Sequence, residues 1–288
     1  MNDEGSNVRR LTDAAFDDDS PRWSPDGKQI VFVRDFDASY LEDHKFFIID
    51  ADGRNERIFM HNHSSDDSPA WAPDGSHTAF SSWRADESDI YVVNLVSGTV
   101  KQLTHNTEGR MSNRMDWSPD GRKIAYEHRA EAGDSIYTMT AAGAQKRLFS
   151  PFRDEAPFLT GPPRWSPSGR YIVYPEMERT PDFRDVVSVY IVVQDVFTGH
   201  REQHLEGFLS AYACWMRDDR TLIVSAKADY EHPDAQYELY RYHLRSRERT
   251  NLTHSSRGEY APDWIGGALS VFPADKLPLL WGQLKERP

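Results

Sequence analysis

The chain has 288 residues, with 34 Lys and Arg against 46 Asp and Glu, a formal net charge of −12, and 38% hydrophobic residues. That length can bury a substantial core. The acidic excess and the absence of a basic patch exclude a nucleic-acid backbone or an anionic membrane surface as partner. Cys214 is the single cysteine, which excludes an internal disulfide and a cysteine-based zinc site. No run reaches the roughly 18 apolar residues of a membrane span. Met1 to Asn7 is polar and lacks the apolar core of a signal peptide, so the expectation is a cytoplasmic chain or a trimmed mature form.

In chain order the first predicted strand is Val8 to Thr12, and it stands before any repeat. From there one residue type sets a period: Trp23, Trp71, Trp117, Trp165, Trp215 and Trp264 recur at intervals of 46 to 50, so six units of about 48 residues fill the chain. Each tryptophan ends a strand and opens a turn: Trp23-Ser24-Pro25-Asp26-Gly27, Trp71-Ala72-Pro73-Asp74-Gly75, Trp117-Ser118-Pro119-Asp120-Gly121 and Trp165-Ser166-Pro167-Ser168-Gly169. Proline presets the first corner and glycine supplies the positive φ that returns the chain as a hairpin. The returning strands are Ile30 to Val33, Thr78 to Ser81, Ile124 to Glu127, Ile172 to Pro175, Leu222 to Ser225 and Leu269 to Phe272. Third strands follow at Phe46 to Ile49, Ile90 to Val93, Ile136 to Met139, Val189 to Val193 and Leu239 to Tyr242. More polar fourth strands end at Ile58-Phe59, Leu103-Thr104, Leu148-Phe149, His204-Leu205 and Leu252-Thr253. Charge on such a strand suits an outer edge.

A unit of this length matches a four-stranded propeller blade. The sixth unit has room for three strands only, while Val8 to Thr12 ends in the same Leu-Thr pair as the second and fifth units. The expected fold is therefore an all-β, six-bladed β-propeller with four-stranded blades, its N-terminal strand closing the last one. Approximate blade limits are 13–60, 61–104, 105–149, 150–205, 206–253, and 254–288 plus 7–12, a single domain over 1–288.

The recurring Pro-x-Trp-Ser-Pro-Asp-Gly, then Ile-x-Phe or Ile-x-Tyr, then Ile-Tyr-Val, then Leu-Thr resembles the WD-like β-propeller repeat of the TolB family. The resemblance covers essentially the whole chain, with four good copies of the turn and drifted fifth and sixth copies at Trp215 and Trp264. It implies a six-bladed propeller, often periplasmic, that binds another protein over one face of the disc.

In a propeller the loops entering the innermost strands crowd one mouth of the channel. Here they carry Asp18, Asp19, His61, His63, Asp66, Asp67, His105, Asn113, His254 and Glu259. Carboxylates suit Ca²⁺ or Mn²⁺ and imidazoles suit transition metals, so His61, His105 and His254 are candidate ligands of a divalent cation in the channel. Asp before Pro-x-Trp and His after Leu-Thr also serve as ordinary turn residues. The connections from second to third strands share that mouth. Three of them are long and place Tyr40, Phe183 and Tyr230 among charges, and Trp83 stands in a shorter one. Exposed aromatics on a rigid scaffold are typical interface anchors.

No Gly-x-Ser-x-Gly elbow, phosphate-binding loop or His-Glu-x-x-His occurs. The expected function is a non-catalytic, monomeric module that needs no cofactor and captures a protein or peptide, including one with a basic segment. Its contacts would come from Asp18, Asp19, Asp66, Asp67, Asn113, Glu259, Tyr40, Trp83, Phe183 and Tyr230. The alternative is a metal-dependent enzyme or carbohydrate-binding propeller, similar to oligogalacturonate lyases, with the cation on the three histidines.

Overall fold

The computed structural model describes residues 1, 4–12, 16–36, 44–60, 66–84, 87–107, 111–130, 133–151, 158–180, 186–227, 236–254, 259–265 and 268–273, with the backbone alone for 158, 259, 260 and 268–273. Every element in it is a β-strand. Blade one contains β1 (Asp17–Trp23), β2 (Gln29–Asp35), β3 (His44–Asp50) and β4 (Arg57–Ile58). Blade two is built from β5 (Asp66–Trp71), β6 (His77–Ser82), β7 (Asp89–Asn94) and β8 (Val100–Gln102). Next come β9 (Met111–Trp117), β10 (Lys123–Ala130), β11 (Gly133–Thr140) and β12 (Arg147–Leu148) of blade three. In blade four the inner strand is broken into β13 (Phe158–Thr160) and β14 (Arg164–Trp165), and both pieces pair with β15 (Tyr171–Arg179). The blade continues with β16 (Val186–Asp195) and β17 (Arg201–His204). Blade five holds β18 (Leu209–Trp215), β19 (Thr221–Lys227), β20 (Glu238–His243) and β21 (Arg249–Asn251). All neighbours within a blade are antiparallel, inner to outer in chain order.

The turn chemistry acts as its residues require. Gly27, Gly75, Gly121 and Gly169 adopt φ of +69°, +71°, +70° and +73°, and Ser24, Ser118 and Ser166 each accept the turn glycine's amide on their carbonyl at 2.8 Å. The tryptophans that precede these turns pack at the blade junctions. Trp117 joins Ala70, Leu103 and Ile124 in one cluster, and Trp215 joins Val173, Ile191 and Leu222 in another. Trp117 Nε1 donates to Ala70 O (3.2 Å) and Trp215 Nε1 to Arg164 O (3.0 Å), which ties each blade to the one before it.

The blade count departs from the expectation. Among the described residues there are five full blades, not six, blade four counting its broken inner strand as one. After β21 the described residues show only a two-stranded sheet, β22 (Glu259–Ile265) with β23 (Ala268–Pro273). Strand β22 lies against β18 on one side and β1 on the other, between blades five and one. The predicted N-terminal strand is absent as well: Val8 to Thr12 makes no ladder. In blades two and five the threonine of Leu-Thr accepts an amide of the third strand, from Ile90 to Thr104 (2.8 Å) and from Leu239 to Thr253 (2.9 Å). Thr12 bonds Asp18 instead. Its neighbour Leu11 packs into the blade-one cluster of Ile30, Phe32 and Ile49, and Gly5 crosses the carbonyl of Leu252 so closely that a Cβ there would lie 2.2 Å from the oxygen. The segment is a strap from blade five to blade one, without strand pairing, because no third strand of a sixth sheet stands among the described residues to receive it.

Candidate functional site at the channel

Each inner strand reaches the axis through a distortion of its ladder. Register skips occur between Asp19 and Arg22, Asp67 and Ala70, Ser210 and Tyr212, and Tyr260 and Asp263, and opposite Glu127 in blade three. Ser20, Ser68, Arg114 and Ala261 sit there at φ between +41° and +54°, in the left-handed region that side chains resist. Such a bulge re-aims the residues around it. Blade four meets the same need with Gly161-Pro162-Pro163 between β13 and β14. A Cβ on Gly161 would lie 2.8 Å from Pro175 Cγ, so the backbone approaches there only because the side chain is missing.

The residues just before the six tryptophans are Arg22, Ala70, Asp116, Arg164, Cys214 and Asp263, an Arg, small, Asp order that runs twice around the ring. The four charged ones converge. Arg22 Nη1 lies 3.9 Å from Asp116 and 3.7 Å from Asp263, and Arg164 Nη1 lies 3.7 and 3.3 Å from the same pair. Trp165 N donates to Asp116 Oδ2 and Trp23 N to Asp263 Oδ2, both at 2.8 Å. Burial pushes Asp116 up to about 7 against the pull of Arg22 and the Trp165 amide, and Asp263 up to about 6 against Arg22 and the Trp23 amide. Cys214, buried beside them, has its thiol raised by burial and then by Asp263. This quartet forms a polar floor across the channel.

The second layer sits one bulge nearer the mouth. Burial, and then the charge of Asp67, push Asp19 up to about 6, opposed by the Ser20 amide, Arg114 and His44. Asp19 and Asp67 each accept the amide of the following serine, and neither has an ion pair among the described residues. Across from them Arg114 Nη1 stands 3.5 Å from Glu127 Oε2, with its Cζ 6.0 Å from the Tyr212 ring. Burial works against that guanidinium's charge, but Tyr212, Glu127, Asp67 and Asp19 together hold it above its ordinary range. Burial pushes the Tyr212 phenol up to about 12. Behind this layer Glu127 also takes Arg129 at 2.9 Å, and Arg129 reaches Asp134 at 3.1 Å.

The remaining candidates fall elsewhere. Asp18 is bound through both oxygens by Arg34 (2.6 and 2.9 Å), and Asp66 by Arg84 (2.8 and 2.6 Å), so these two carboxylates are engaged within their own blades. Asn113 shares the bulge position of Asp19 and Asp67, and its buried Oδ1 has no hydrogen-bond partner among the described residues. His105 and His254 are exposed beyond the outer strands β8 and β21, and Asn251 Nδ2 lies 3.3 Å from His254 Nδ1. Among the described residues no three His, Cys, Asp or Glu are grouped to hold a metal ion. Trp83 is exposed at the end of β6. His61, Tyr40, Phe183, Tyr230 and the side chain of Glu259 lie outside the described residues. A cleft of about 770 Å³ opens at the opposite, turn-bearing end between blades two and three, lined by Pro73, Leu103, Trp117 and Pro119.

The floor quartet, Arg114, Glu127 and Tyr212 are not among the sequence candidates. A signal for the quartet was available: reading the residue before each repeated tryptophan spells the Arg–Asp alternation directly. Arg114 and Tyr212 carry no such mark, because a bulge and not a motif turns them inward.

No curated protein matches the chain in sequence. Among solved structures, TolB from Acinetobacter baumannii is similar over 86% of this chain and 62% of its own, with a TM-score of 0.64 and 19% identity. This chain therefore spans less than two thirds of that protein. Oligogalacturonate lyase from Vibrio parahaemolyticus is similar over 93% of this chain and 94% of its own (TM-score 0.59, 10% identity), and a puromycin-hydrolyzing peptidase of Mycobacterium tuberculosis over 84% and 38% (TM-score 0.60, 15% identity). At these identities the likeness is one of fold. The TolB beta propeller domain model matches residues 4–189, well over half of the sequence, and the chain belongs to the TolB β-propeller family.

Proposed function

We propose that this propeller is a non-catalytic binding module that captures a protein or peptide at the channel mouth on the Asp19 side. The observation that carries this reading is the contrast between two neighbouring pairs of carboxylates. Asp18 and Asp66 are saturated by arginines, whereas Asp19 and Asp67, one residue further along the same strands, have no ion pair among the described residues. Asp19, buried and with the charge of Asp67 nearby, gains from an incoming cation at the channel wall. The Arg–Asp floor crosses the axis at the level of the tryptophans, which favours entry from this one side.

A divalent cation in the channel is the alternative, and its proposed ligands His105 and His254 stand exposed at outer-strand ends. The test is a display selection of random peptides on the whole chain, followed by photo-cross-linking of the enriched binders. Cross-links to residues 17–20, 66–68 and 112–114 would support the mouth. Cross-links confined to the turns at residues 24–28, 72–76 and 118–122 would refute it.

A further inference from the structure

The channel mouth is chemically divided between its blades. Blades three and four carry close internal ion pairs: Arg114 and Arg129 share Glu127, and Arg201 takes both oxygens of Glu176 at 3.0 and 2.8 Å, while Arg114 also feels the charges of Asp19 and Asp67 across the channel. Blades one and two instead present Asp19 and Asp67, at equivalent bulges and close enough for one to raise the other's affinity for a proton.

The same two blades carry exposed aromatic surface at the same end. Phe16 precedes β1 and Phe36 follows β2, with 38% and 41% of their surfaces exposed, and their ring centroids lie 5.0 Å apart. Phe36 also meets Phe47 at 5.9 Å. Arg34 lies over Phe16 and Phe47 at 5.2 and 4.6 Å, and its charge is taken by Asp18 and Glu56, so the platform is held in place by a neutralised guanidinium. Trp83, 45% exposed, stands at the corresponding end of blade two.

We infer that the blade one and two sector of the mouth is a two-point recognition surface for a peptide. A lysine or arginine side chain enters between Asp19 and Asp67, and a neighbouring apolar side chain lies on the Phe16–Phe36–Phe47 face. Charge complementarity selects the basic residue, and the exposed rings supply the anchor that a free cation would not use. A chain of net charge −12 directs this pairing to a basic peptide and away from a polyanion. The inference rests on the mouth-binding reading and narrows it to one sector and one partner chemistry.

The test uses the full chain and the peptides of about twelve residues recovered by the display selection, synthesised singly. Enriched sequences are expected to carry Lys or Arg beside an aliphatic or aromatic residue. Their affinity should fall about tenfold or more on D19N/D67N and on Phe36→Ser, and should weaken as salt rises. Thermal unfolding of each variant controls for folding. Should D19N/D67N fail to fold, Phe36→Ser at an exposed position and the salt dependence decide the matter. Binders that cross-link to the mouth but lack a basic residue, or ignore both variants and salt, overturn this inference and leave the mouth reading standing. Binders on the turn face, or a selection that enriches nothing, count against both.

Discussion

Asp263 offers a test of the channel floor, because its two roles separate by substitution. Its Oδ2 accepts the Trp23 amide at 2.8 Å, and its charge faces Arg22 and Arg164 at 3.7 and 3.3 Å. Asn at this position keeps an acceptor for the amide and discards the charge; Ala discards both. The folded carboxyl is raised from 3.8 to about 6, burial outweighing Arg22 and the Trp23 amide. Between those two values the folded state holds a proton that the unfolded state has released. Stability from this group therefore rises as pH falls through about 6 and is lost above it. Two units correspond to at most about 3 kcal/mol, and residual contact with solvent reduces this to about 1–2 kcal/mol. Near pH 8, D263N should equal or exceed the parent by that amount, a gain of a few degrees in Tm, and the gap should close towards about pH 4.5. D263A should lie about 1–3 kcal/mol below D263N at both pH values, the cost of an unmet amide. Urea midpoints followed by tryptophan fluorescence read all three proteins. If D263N is as damaged as D263A near pH 8, or its gap ignores pH, the carboxylate is held ionised by its arginines and the reasoning about burial is wrong.

Three further outcomes are expected. Deleting residues 1–12 removes the partly buried Leu11 from the blade-one cluster and the strap over Leu252, so the thermal midpoint should drop by a few degrees, at about 1 kcal/mol for the leucine alone; an unchanged midpoint would mean the strap contributes nothing. Gly121→Val forces a β-branched residue to φ +70° and sets its Cβ 3.4 Å from Pro73 Cγ, which should cost about 2 kcal/mol or more, and a neutral urea midpoint would contradict the turn geometry. Adding Ca²⁺, Mn²⁺ or Zn²⁺ singly after chelation should leave the thermal midpoint unmoved. A selective rise of a few degrees with one ion, the signature of about 2.7 kcal/mol at a hundredfold excess over Kd, would restore the cation reading of the channel.

What the sequence by itself determined is the local grammar. The spacing of the tryptophans, the Pro-Asp-Gly turns and the apolar returning strands specify antiparallel blades, because proline and glycine act on the backbone where they stand and a tryptophan at a fixed period must find a core. Asp19 and Asp67 were legible for the same reason, since each stands at a repeated place before Pro-x-Trp. The separation of Asp18 from Asp19 was not: which carboxylate meets an arginine depends on Arg34 and Arg84, which reach them from the next strand and from the loop after it. Nor was the closure legible, because Leu11-Thr12 reads like Leu103-Thr104 yet finds no third strand among the described residues and settles on Asp18 and the blade-one core. The floor of Arg22, Asp116, Arg164 and Asp263 exists only once the blades are arranged about an axis, where residues up to 241 positions apart come within 4 Å. Local propensity acts over a few residues, whereas ion pairs and channel chemistry are set by the ring, and only the tertiary structure decides them.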